Sequence, residues 1–358
     1  MLKATLIAVC LLFVVSTALP FIRTSSAWIR MFDFPRTHIA IGGLCVTLLY
    51  CLFVWDIKNV AENVMLAILM LCVLFQGYKI SAYTFLASQQ VLSSNRHSSD
   101  STFSLLVSNV LMENRNAGKY LEIVREADPD ILLAVETDQW WTEQLGALDQ
   151  KYRYTVEYPL ANCYGMLLRS RLKLIDPQIK FLIEDDVPSI HTGVELESSD
   201  RIVLHCLHPK PPQPAHSRDS TERDAELLVV ARAVTESDQP TLVAGDLNDV
   251  AWSRTTKLFQ KISGLLDPRI GRGMYNTFSA KNPLFRWPLD HVFHSNDFKL
   301  IKLERLSSFG SDHFPVYIKL SYEPEAKAQQ QEPAAGMEER EEATEKIGKG
   351  QKDAVYDR

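Results

Sequence analysis

The sequence has few cysteines and no cysteine pattern typical of a metal site. Only six of its 358 residues are cysteine, and four of these lie in apolar stretches near the start of the chain. No Cys-x-x-Cys pair or Cys/His spacing indicates zinc. Cys163 and Cys206 either form one disulfide or, as we expect, are two small buried side chains. The cysteine content therefore excludes a zinc-binding domain and a disulfide framework.

The sequence also lacks an excess of positive charge. It has 38 basic and 44 acidic side chains, and residues 323–358 carry six of the basic and ten of the acidic ones. The remaining 32 basic and 34 acidic groups leave a near-neutral body, which argues against a protein that binds DNA mainly by neutralising phosphates. A hydrophobic content of 46% excludes disorder throughout. The length allows two or three domains.

Long uncharged runs are concentrated in the first eighty residues. A membrane core of roughly 30 Å needs about 20 helical residues, and backbone groups inside lipid must bond internally. The three runs predict transmembrane helices at about residues 4–22, 37–55 and 63–79. The alternative for the first run is a signal peptide, because Lys3 precedes it. The other two runs make a membrane protein either way, so we predict an anchor over residues 1–80 and a linker over 81–98.

The charges between these runs bear on orientation. The first connector carries Arg23, Arg30 and Arg36, whereas the second carries Lys58 with two acidic residues. By the positive-inside rule the arginine-rich connector is cytoplasmic. With three spans, this count favours a cytoplasmic position for everything after the third helix.

Beyond residue 98, short apolar runs alternate with helical patterns. The predicted strands are Phe103–Ser108, Ile131–Val135, Tyr164–Leu168, Ile190–Leu196, Ile202–Leu207, Thr241–Ala244, His291–Phe293 and Val316–Leu320, and the predicted helices are Arg115–Ala127, Arg218–Val234 and Arg254–Ile262. This pattern predicts an α/β domain over residues 99–322, with two packed sheets and helices outside. The tail 323–358 lacks apolar periodicity and is predicted to be disordered, with a solvated helix at Glu338–Lys346 as the alternative.

Acid, amide and imidazole groups stand at the ends of the predicted strands. These residues are Asn109, Glu136, His208, Asp246, Asn248, Asp290, Asp312 and His313. Each alone is ordinary, since Asp and Asn beside a glycine also suit tight turns. Strand ends on a common edge converge, so the ordered set predicts one cleft. Oxygen ligands suit a hard cation such as Mg²⁺, and an imidazole paired with a carboxylate can carry positive charge beside a phosphate.

Taken in order, these residues resemble the successive motifs of the endonuclease/exonuclease/phosphatase superfamily. The most specific pieces are Gly245-Asp246-Leu247-Asn248 and Ser311-Asp312-His313, and Tyr164–Ser170 resembles the family's central strand. The resemblance covers roughly residues 103–320. It implies the fold of deoxyribonuclease I, in which two mixed sheets flanked by helices hold an active site at one end of the sandwich.

The resemblance also implies a metal-dependent hydrolase that cleaves phosphate esters. The cofactor would be Mg²⁺, with Mn²⁺ as the alternative. Glu136 would be the main ligand, and Asn109 and Asp312 would lie near the ion, binding it directly or through water.

The same resemblance implies catalytic roles for five residues. Asp246 would orient or deprotonate the attacking water, and Asn248 would hold a phosphate oxygen. His313 would stabilise the pentacoordinate transition state, with Asp290 fixing its tautomer. His208 would contact the phosphate from the other side. Such a protein contributes chiefly positioning and charge stabilisation.

Two cations are candidates for substrate binding. Lys210 follows His208 in a proline-rich segment, which could equally be a rigid surface loop. Arg286 precedes Asp290 and could contact a phosphate. The neighbouring Trp287 is expected to pack in the core. The pair Trp140–Trp141 suits either a headgroup boundary or a helix packed on the sheet.

The resemblance leaves the substrate open, because this family cleaves nucleic acids, phosphoinositides, sphingomyelin and pyrophosphates. A near-neutral body offers no track for a long polyanion, no insertion resembles a DNA-binding loop, and the anchor holds the domain near lipid headgroups. The sequence most resembles a bacterial membrane-bound branch that includes members linked to glycopeptide resistance. That resemblance implies a multi-pass protein of the cell (inner) membrane whose extracytoplasmic domain acts on envelope lipid phosphates. The arginine count favours the opposite side, and we give the resemblance more weight.

Three functional hypotheses follow. The leading one is a membrane-anchored, metal-dependent phosphohydrolase acting on a phosphorylated, lipid-linked substrate. The rival is a membrane-tethered nuclease, a phosphodiesterase acting on DNA or RNA, which the charge balance does not favour. The third is a catalytically inactive binding module, against which the intact polar set argues. No protein partner is indicated by the sequence.

Overall fold

The chain begins with three long apolar helices. A computed structural model describes residues 1–96, 100–212 and 219–356. The long helices are α1 (Leu2–Ala18), α3 (Arg36–Phe53) and α4 (Val60–Ser81), and a short helix, α2 (Ala27–Arg30), lies between the first two. The spans Leu2–Phe21, α3 and α4 are long and apolar enough to cross a membrane, as predicted. The short α2 lies in the first connector.

Two mixed sheets form the body of the chain, which confirms the predicted α/β sandwich. The strands are β1 (Thr102–Asn109), β2 (Ile131–Val135), β3 (Tyr154–Tyr158), β4 (Met166–Ser170), β5 (Lys173–Lys180), β6 (Ser189–Glu195), β7 (Arg201–Leu207), β8 (Thr241–Asp246), β9 (Asp290–His294), β10 (Phe298–Arg305) and β11 (Val316–Tyr322). One sheet has the order β10-β11-β1-β2-β4-β3 and the other β5-β6-β7-β8-β9. The strands β3, β5 and β10 were not predicted from the sequence. All three are sheet edges in which most positions are exposed or half-buried, so they lack a continuous apolar run.

Alternating side chains of the central strand β1 build two cores. Phe103, Leu105 and Val107 point into the core between the sheets. Leu106 points to the opposite face, where it packs in a cluster that contains Trp141. Trp141 is fully buried, so the packing interpretation of the tryptophan pair is correct for this residue.

Four helices cover the outer faces of the sandwich. They are α5 (Ala117–Ala127), α6 (Gln139–Leu145), α7 (Thr221–Thr235) and α8 (Arg254–Ser263). Residues of α5 and α6 pack on the first sheet, and residues of α7 and α8 pack on the second. The predicted helix Arg218–Val234 begins at a residue that lies outside the described part of the chain. Cys163 and Cys206 are free thiols, so the disulfide alternative is wrong.

The predicted disorder of the tail is wrong. Residues Met337–Tyr356 form a helix, α9, that packs on α7. Ala343 and Ile347, one turn apart, are buried in the same cluster as residues of α7. The Nζ atom of Lys346 lies 2.6 Å from Oδ2 of Asp224. Ala343, Ile347 and Ala354 are buried against other elements, and several ion pairs add to this contact. Two of the three buried side chains are alanine, so the apolar periodicity of the helix is weak.

The segment predicted as a linker is packed against the body. Val91 is completely buried in the core between the sheets. Backbone hydrogen bonds join Ser94 N to Leu300 O at 2.8 Å and Leu300 N to Leu92 O at 2.9 Å, so the segment runs along the edge strand β10. Residues 97 and 98 lie outside the described part of the chain. The segment between the long helices and the sandwich is therefore packed on the sandwich and is not a free linker.

Candidate active site

The polar side chains predicted at strand ends meet at one end of the sandwich. In the first sheet β1 and β2 are parallel neighbours, so Asn109 and Glu136 leave the sheet side by side. In the second sheet Asp246 of β8 is the register partner of Asp290 of β9. His208 follows β7, the parallel neighbour of β8. The strand pairing alone therefore brings two chain-distant residues to one edge of the first sheet and three to one edge of the second.

Asn109 connects the two sheets at this edge. Its Nδ2 atom donates to Oε1 of Glu136 at 2.7 Å and to Oδ2 of Asp246 at 3.0 Å. Its Oδ1 atom accepts from the backbone N–H of Leu111 at 2.9 Å. In this arrangement the amide holds two carboxylates together, and its oxygen faces the backbone. Direct metal ligation by Asn109 stays a prediction.

His313 stands between two carboxylates. Its Nδ1 atom lies 2.7 Å from Oδ2 of Asp290, and its Nε2 atom lies 3.5 Å from Oδ2 of Asp246. The Ser311 hydroxyl donates to Asn109 O at 2.8 Å and accepts from the His313 N–H at 3.0 Å. This hydroxyl explains the serine of the Ser-Asp-His motif, because it fixes the loop to the end of β1.

The local charges shift the pKa values of the cluster. Burial raises the pKa of Glu136 and of Asp246, and each carboxylate faces a second negative charge. Burial alone would lower the pKa of His313, but Asp290 and Asp246 raise it to about 10. At neutral pH the site therefore contains an imidazolium beside two carboxyl groups whose pKa values burial raises. Such a cluster suits the binding of a further cation.

Two residues of the site have unusual backbone conformations. Glu136 has φ +58° and Asn248 has φ +51°, in the left-handed region that side chains other than glycine rarely adopt. Gly245 has φ +146°, and a Cβ there would lie 1.9 Å from the carbonyl oxygen of Leu207. The strands β7 and β8 approach closely at this point, so only glycine fits. Strain of this kind concentrates at functional sites.

His208 and Asn248 close the other side of the cleft. Nδ1 of His208 lies 3.2 Å from the carbonyl oxygen of Asp246, and its Nε2 lies 3.9 Å from Oε1 of Glu136. The Asn248 side chain donates to the carbonyl oxygen of Pro209 at 2.9 Å, and its backbone N–H donates to Oδ1 of Asp246 at 3.0 Å. The loop after β8 is thereby fastened to the loop after β7.

The donor set fits a divalent cation. Within the described part of the chain, Oδ1 of Asp290 and Oδ1 of Asp312 are buried without a hydrogen-bond partner. Ligand atoms of Asp246, Asp290 and His313 lie within 4.8 Å of one another. This trio differs from the predicted set Asn109, Glu136 and Asp312. Metal ligation requires a deprotonated imidazole, whereas Asp290 already pairs with His313, so carboxylate oxygens are the better donors here.

The two predicted substrate cations differ in their surroundings. Nζ of Lys210 pairs with Glu184 and lies 3.2 Å from Oδ1 of Asp186, so carboxylates already neutralise its charge. Arg286 is half-buried over the ring of Phe314 at 5.0 Å and forms no ion pair within the described residues. Arg286 is the better placed of the two to meet an anion, and both roles stay predictions.

Several residues that were not among the predicted site residues support the site from behind. Arg223 donates to the carbonyl oxygen of Asn248 at 2.7 Å, and Asp249 is fully buried next to it. His291 binds the carbonyl oxygen of Asp249 at 2.8 Å, and burial lowers its pKa to about 3, so it is a neutral structural residue. Phe278 packs against His313 with ring centroids 5.1 Å apart. An arginine within a helical pattern and a loop phenylalanine carry no distinguishing sequence signal.

Solved structures share the fold of the sandwich at low sequence identity. A humanized D. rerio TDP2 is 15% identical with a TM-score of 0.51, over 62% of this chain and 99% of that chain. The human Nocturnin catalytic domain with bound sulfate anion is 19% identical with a TM-score of 0.51, over 62% and 93%. An endonuclease/exonuclease/phosphatase from Bacteroides vulgatus is 14% identical with a TM-score of 0.51, over 62% and 99%.

The sequence comparison gives the family. No curated protein sequence is significantly similar to the chain. Residues 106–313, more than half of the chain, match the Endonuclease/Exonuclease/phosphatase family. This range begins in β1 and ends at His313, so it includes every strand end that contributes to the cleft. The chain therefore belongs to the endonuclease/exonuclease/phosphatase family and is a hydrolase of phosphate esters.

Proposed function

We propose that this protein is a membrane-anchored, metal-dependent phosphohydrolase that cleaves a lipid-linked phosphate ester or pyrophosphate. One observation carries the reaction class: Asn109, Asp246 and His313, from three separate parts of the chain, share one hydrogen-bonded cleft with further carboxylates. A polar set of this kind serves positioning and charge stabilisation in phosphoryl transfer.

Each residue of the cleft has a separate role in the proposed hydrolysis. Asp246 orients the attacking water and takes its proton, and Asn248 binds a phosphate oxygen. The imidazolium of His313 neutralises charge that develops on the phosphorus oxygens, and Asp290 fixes its orientation through the 2.7 Å hydrogen bond. His208 contacts the phosphate from the opposite side.

Glu136 and Asp312 are the residues that would hold the cation, which is Mg²⁺ or Mn²⁺. When bound, this ion polarises the phosphoryl oxygens and neutralises their charge. Asn109 keeps the carboxylates of Glu136 and Asp246 in position through its two hydrogen bonds.

A row of aromatic rings between the cleft and α3 is the observation that favours a lipid-linked substrate. Phe278 packs on His313 and stacks on Trp287, with centroids 5.8 Å apart and planes 18° apart. Trp287 in turn contacts Phe34 at 6.0 Å and His38, near the start of the membrane span α3, at 6.5 Å. The active site is therefore only a few rings away from the end of a transmembrane helix.

The rim of this path is apolar and exposed. Leu284 and Phe285 are 71% and 50% exposed, and Phe285 stacks on His38 with centroids 5.8 Å apart. Apolar side chains at the end of a membrane span suit the boundary between headgroups and acyl chains. When the phosphate of a substrate lies in the cleft, its lipid part would lie against Leu284 and Phe285. The assignment to the glycopeptide-resistance branch, and with it the extracytoplasmic position of the domain, remains a proposal.

The nuclease hypothesis is the second candidate. The D. rerio TDP2 structure complexed with single strand DNA product is 17% identical, with a TM-score of 0.51. The sandwich itself thus accommodates nucleic acid in another protein. The near-neutral charge of this chain argues against a long polyanionic substrate.

The test uses the full-length protein in nanodiscs, because the anchor and the tail helix pack on the sandwich. Phosphate release from a polyprenyl pyrophosphate and nicking of plasmid DNA are measured with Mg²⁺ and with a chelator. We expect Mg²⁺-dependent phosphate release that Glu136→Gln reduces by at least roughly 10²-fold. The exposed Glu143→Gln on α6 is the control and should keep full activity. Nicking alone would support the nuclease, and inactivity of the folded protein on both substrates would support the binding module.

A further inference from the structure

A second charged cavity lies away from the catalytic cleft, at the ends of the three membrane spans. Its volume is about 640 Å³. It is lined by Arg23, just beyond the first span, by Arg36 at the start of α3 and by Lys79 in the last turn of α4. Span ends lie at the level of the lipid headgroups. None of the cleft residues lines this cavity.

The lining has an excess of positive charge. Besides the three cations from the spans, α8 contributes Arg254, Lys257 and Lys261. Four carboxylates also line the cavity, namely Asp33, Glu338, Glu339 and Glu342, so the net charge is +2.

Four of the six cations have carboxylate partners and two do not. Arg36 pairs with Asp33 in the connector, whereas Arg23, Arg254 and Lys261 pair with acidic residues of α9. Lys257 donates to the Tyr83 hydroxyl at 2.8 Å and to Oε1 of Gln260 at 3.2 Å, which are neutral groups. Lys79 lies 5.5 Å from the centroid of the Phe75 ring. Within the described residues neither lysine forms an ion pair.

The cavity also has an apolar side that faces the membrane spans. The rings of Phe21 and Phe75 are 4.8 Å apart, and Phe21 is 64% exposed. A ligand that combines an anionic group with an acyl chain matches this lining, with the phosphate near the lysines and the chain along the two rings. A volume of several hundred Å³ accommodates a headgroup.

We propose that this cavity binds the phosphate headgroup of an anionic phospholipid from the surrounding bilayer. Basic pockets between transmembrane helices recognise such headgroups. The bound lipid would join α3, α4 and α8, and so would stabilise the contact between the anchor and the sandwich. This proposal stands independently of the reaction catalysed in the cleft.

The experiment measures the thermal unfolding of the full-length protein in nanodiscs. Phosphatidylcholine discs are compared with discs that contain phosphatidylglycerol, and with phosphatidylcholine discs to which inorganic phosphate is added. We expect phosphatidylglycerol to raise the Tm and inorganic phosphate to leave it unchanged. A rise with inorganic phosphate alone would indicate a site for free anions and overturn the lipid assignment.

Variants locate the effect. The double variant K79Q/K257Q should bind phosphatidylglycerol roughly tenfold to thirtyfold more weakly and lose the Tm shift. Lys58→Gln, at the opposite end of the spans, should retain it. If the double variant unfolds in phosphatidylcholine discs, Lys79→Gln alone gives the same comparison with the Tyr83 contact intact. An unchanged shift in the folded variant would overturn the proposal.

Discussion

Nδ1 of His313 lies 2.7 Å from Oδ2 of Asp290, although 22 residues separate the two in the chain. The register of β8 and β9 puts Asp290 opposite Asp246, and the loop before β11 delivers His313 between them. This arrangement makes the imidazole cationic at neutral pH. Positive charge is thus fixed in the cleft without a lysine or arginine.

Replacing Asp290 should change the pH dependence of hydrolysis. Asp290 is a main cause of the raised pKa of His313, so Asp290→Asn should lower that pKa. If the imidazolium is the active form, activity falls as the pH rises through the pKa of His313. This fall, the basic limb of the pH–rate profile, should occur at lower pH in the variant. The kcat at pH 8 should drop by roughly 10²-fold or more. A pH–rate profile of kcat measures this, with the exposed Asp238→Asn as control. A basic limb at the same pH in both proteins would exclude His313 as its source.

Gly245 should be essential for stability. An alanine Cβ at this position would clash with the backbone of β7, and its φ of +146° is unfavourable for any other residue. We expect Gly245→Ala to lower the free energy of unfolding by about 3 kcal/mol or more. Gly118→Ala on α5 is the control, since nothing lies within 4 Å of the added Cβ, and it should leave stability equal or raise it by up to about 1 kcal/mol. Denaturant unfolding compares the two, and equal losses would contradict the close approach.

Glu226 should make stability depend on pH. Burial raises its pKa to about 8, and the nearby Glu184 adds to this effect. The folded state therefore holds a proton that the unfolded state releases near pH 4.5, so stability declines as pH rises from about 4.5 to 8 and then levels off. Glu226→Gln removes this decline.

The comparison is the difference in stability between Glu226→Gln and the parent protein across pH. This difference should grow by about 1.4 kcal/mol per pH unit between pH 4.5 and 8 in favour of the variant. A difference that stays constant with pH would mean that Glu226 ionises normally in the folded protein.

The connector between the first two long apolar helices is joined to the loop after β8 through Arg30. This side chain is 6% exposed and lies 3.3 Å from Asp33 and 3.4 Å from Asp249, the residue that follows Asn248. Removing one member of a buried ion pair leaves an uncompensated charge. Arg30→Met should therefore lower stability by about 3 kcal/mol and reduce hydrolysis in the remaining folded protein.

A matched control separates burial from charge. Arg96 pairs with Glu325 at 2.8 Å, and both side chains are half exposed. Arg96→Met should cost less than about 1 kcal/mol, because exposed pairs contribute little. Thermal unfolding and kcat are measured for both variants in the same nanodiscs. Equal effects would contradict a role of the connector in holding the active-site loop.

The central strands could be predicted from the sequence more accurately than the edge strands and the tail helix. The strands β1, β2 and β8 are buried on both faces, and β7 is buried on one. Their apolar runs, and the polar residues that follow them, could therefore be recognised in the sequence. Edge strands and the tail helix depend on neighbours that are distant in sequence. Lys346 and Ile347 of α9 are an example, because their partners lie on α7 and in the adjacent core.

The same reasoning applies within the cleft. Resemblance to family motifs identified the residues that converge, including Asn109 and His313. It did not give the direction of the Asn109 amide or the two carboxylates that hold Lys210. These depend on side-chain geometry across loops, for which a linear motif has no signal.

The most direct test of the central claim is an anomalous diffraction measurement on crystals of the full-length protein grown with Mn²⁺. We expect one Mn²⁺ peak in the cleft, bounded by the carboxylates of Glu136 and Asp312, with His313 on the side away from the ion. A peak elsewhere in the molecule, or no peak at a Mn²⁺ concentration that supports hydrolysis, would contradict it.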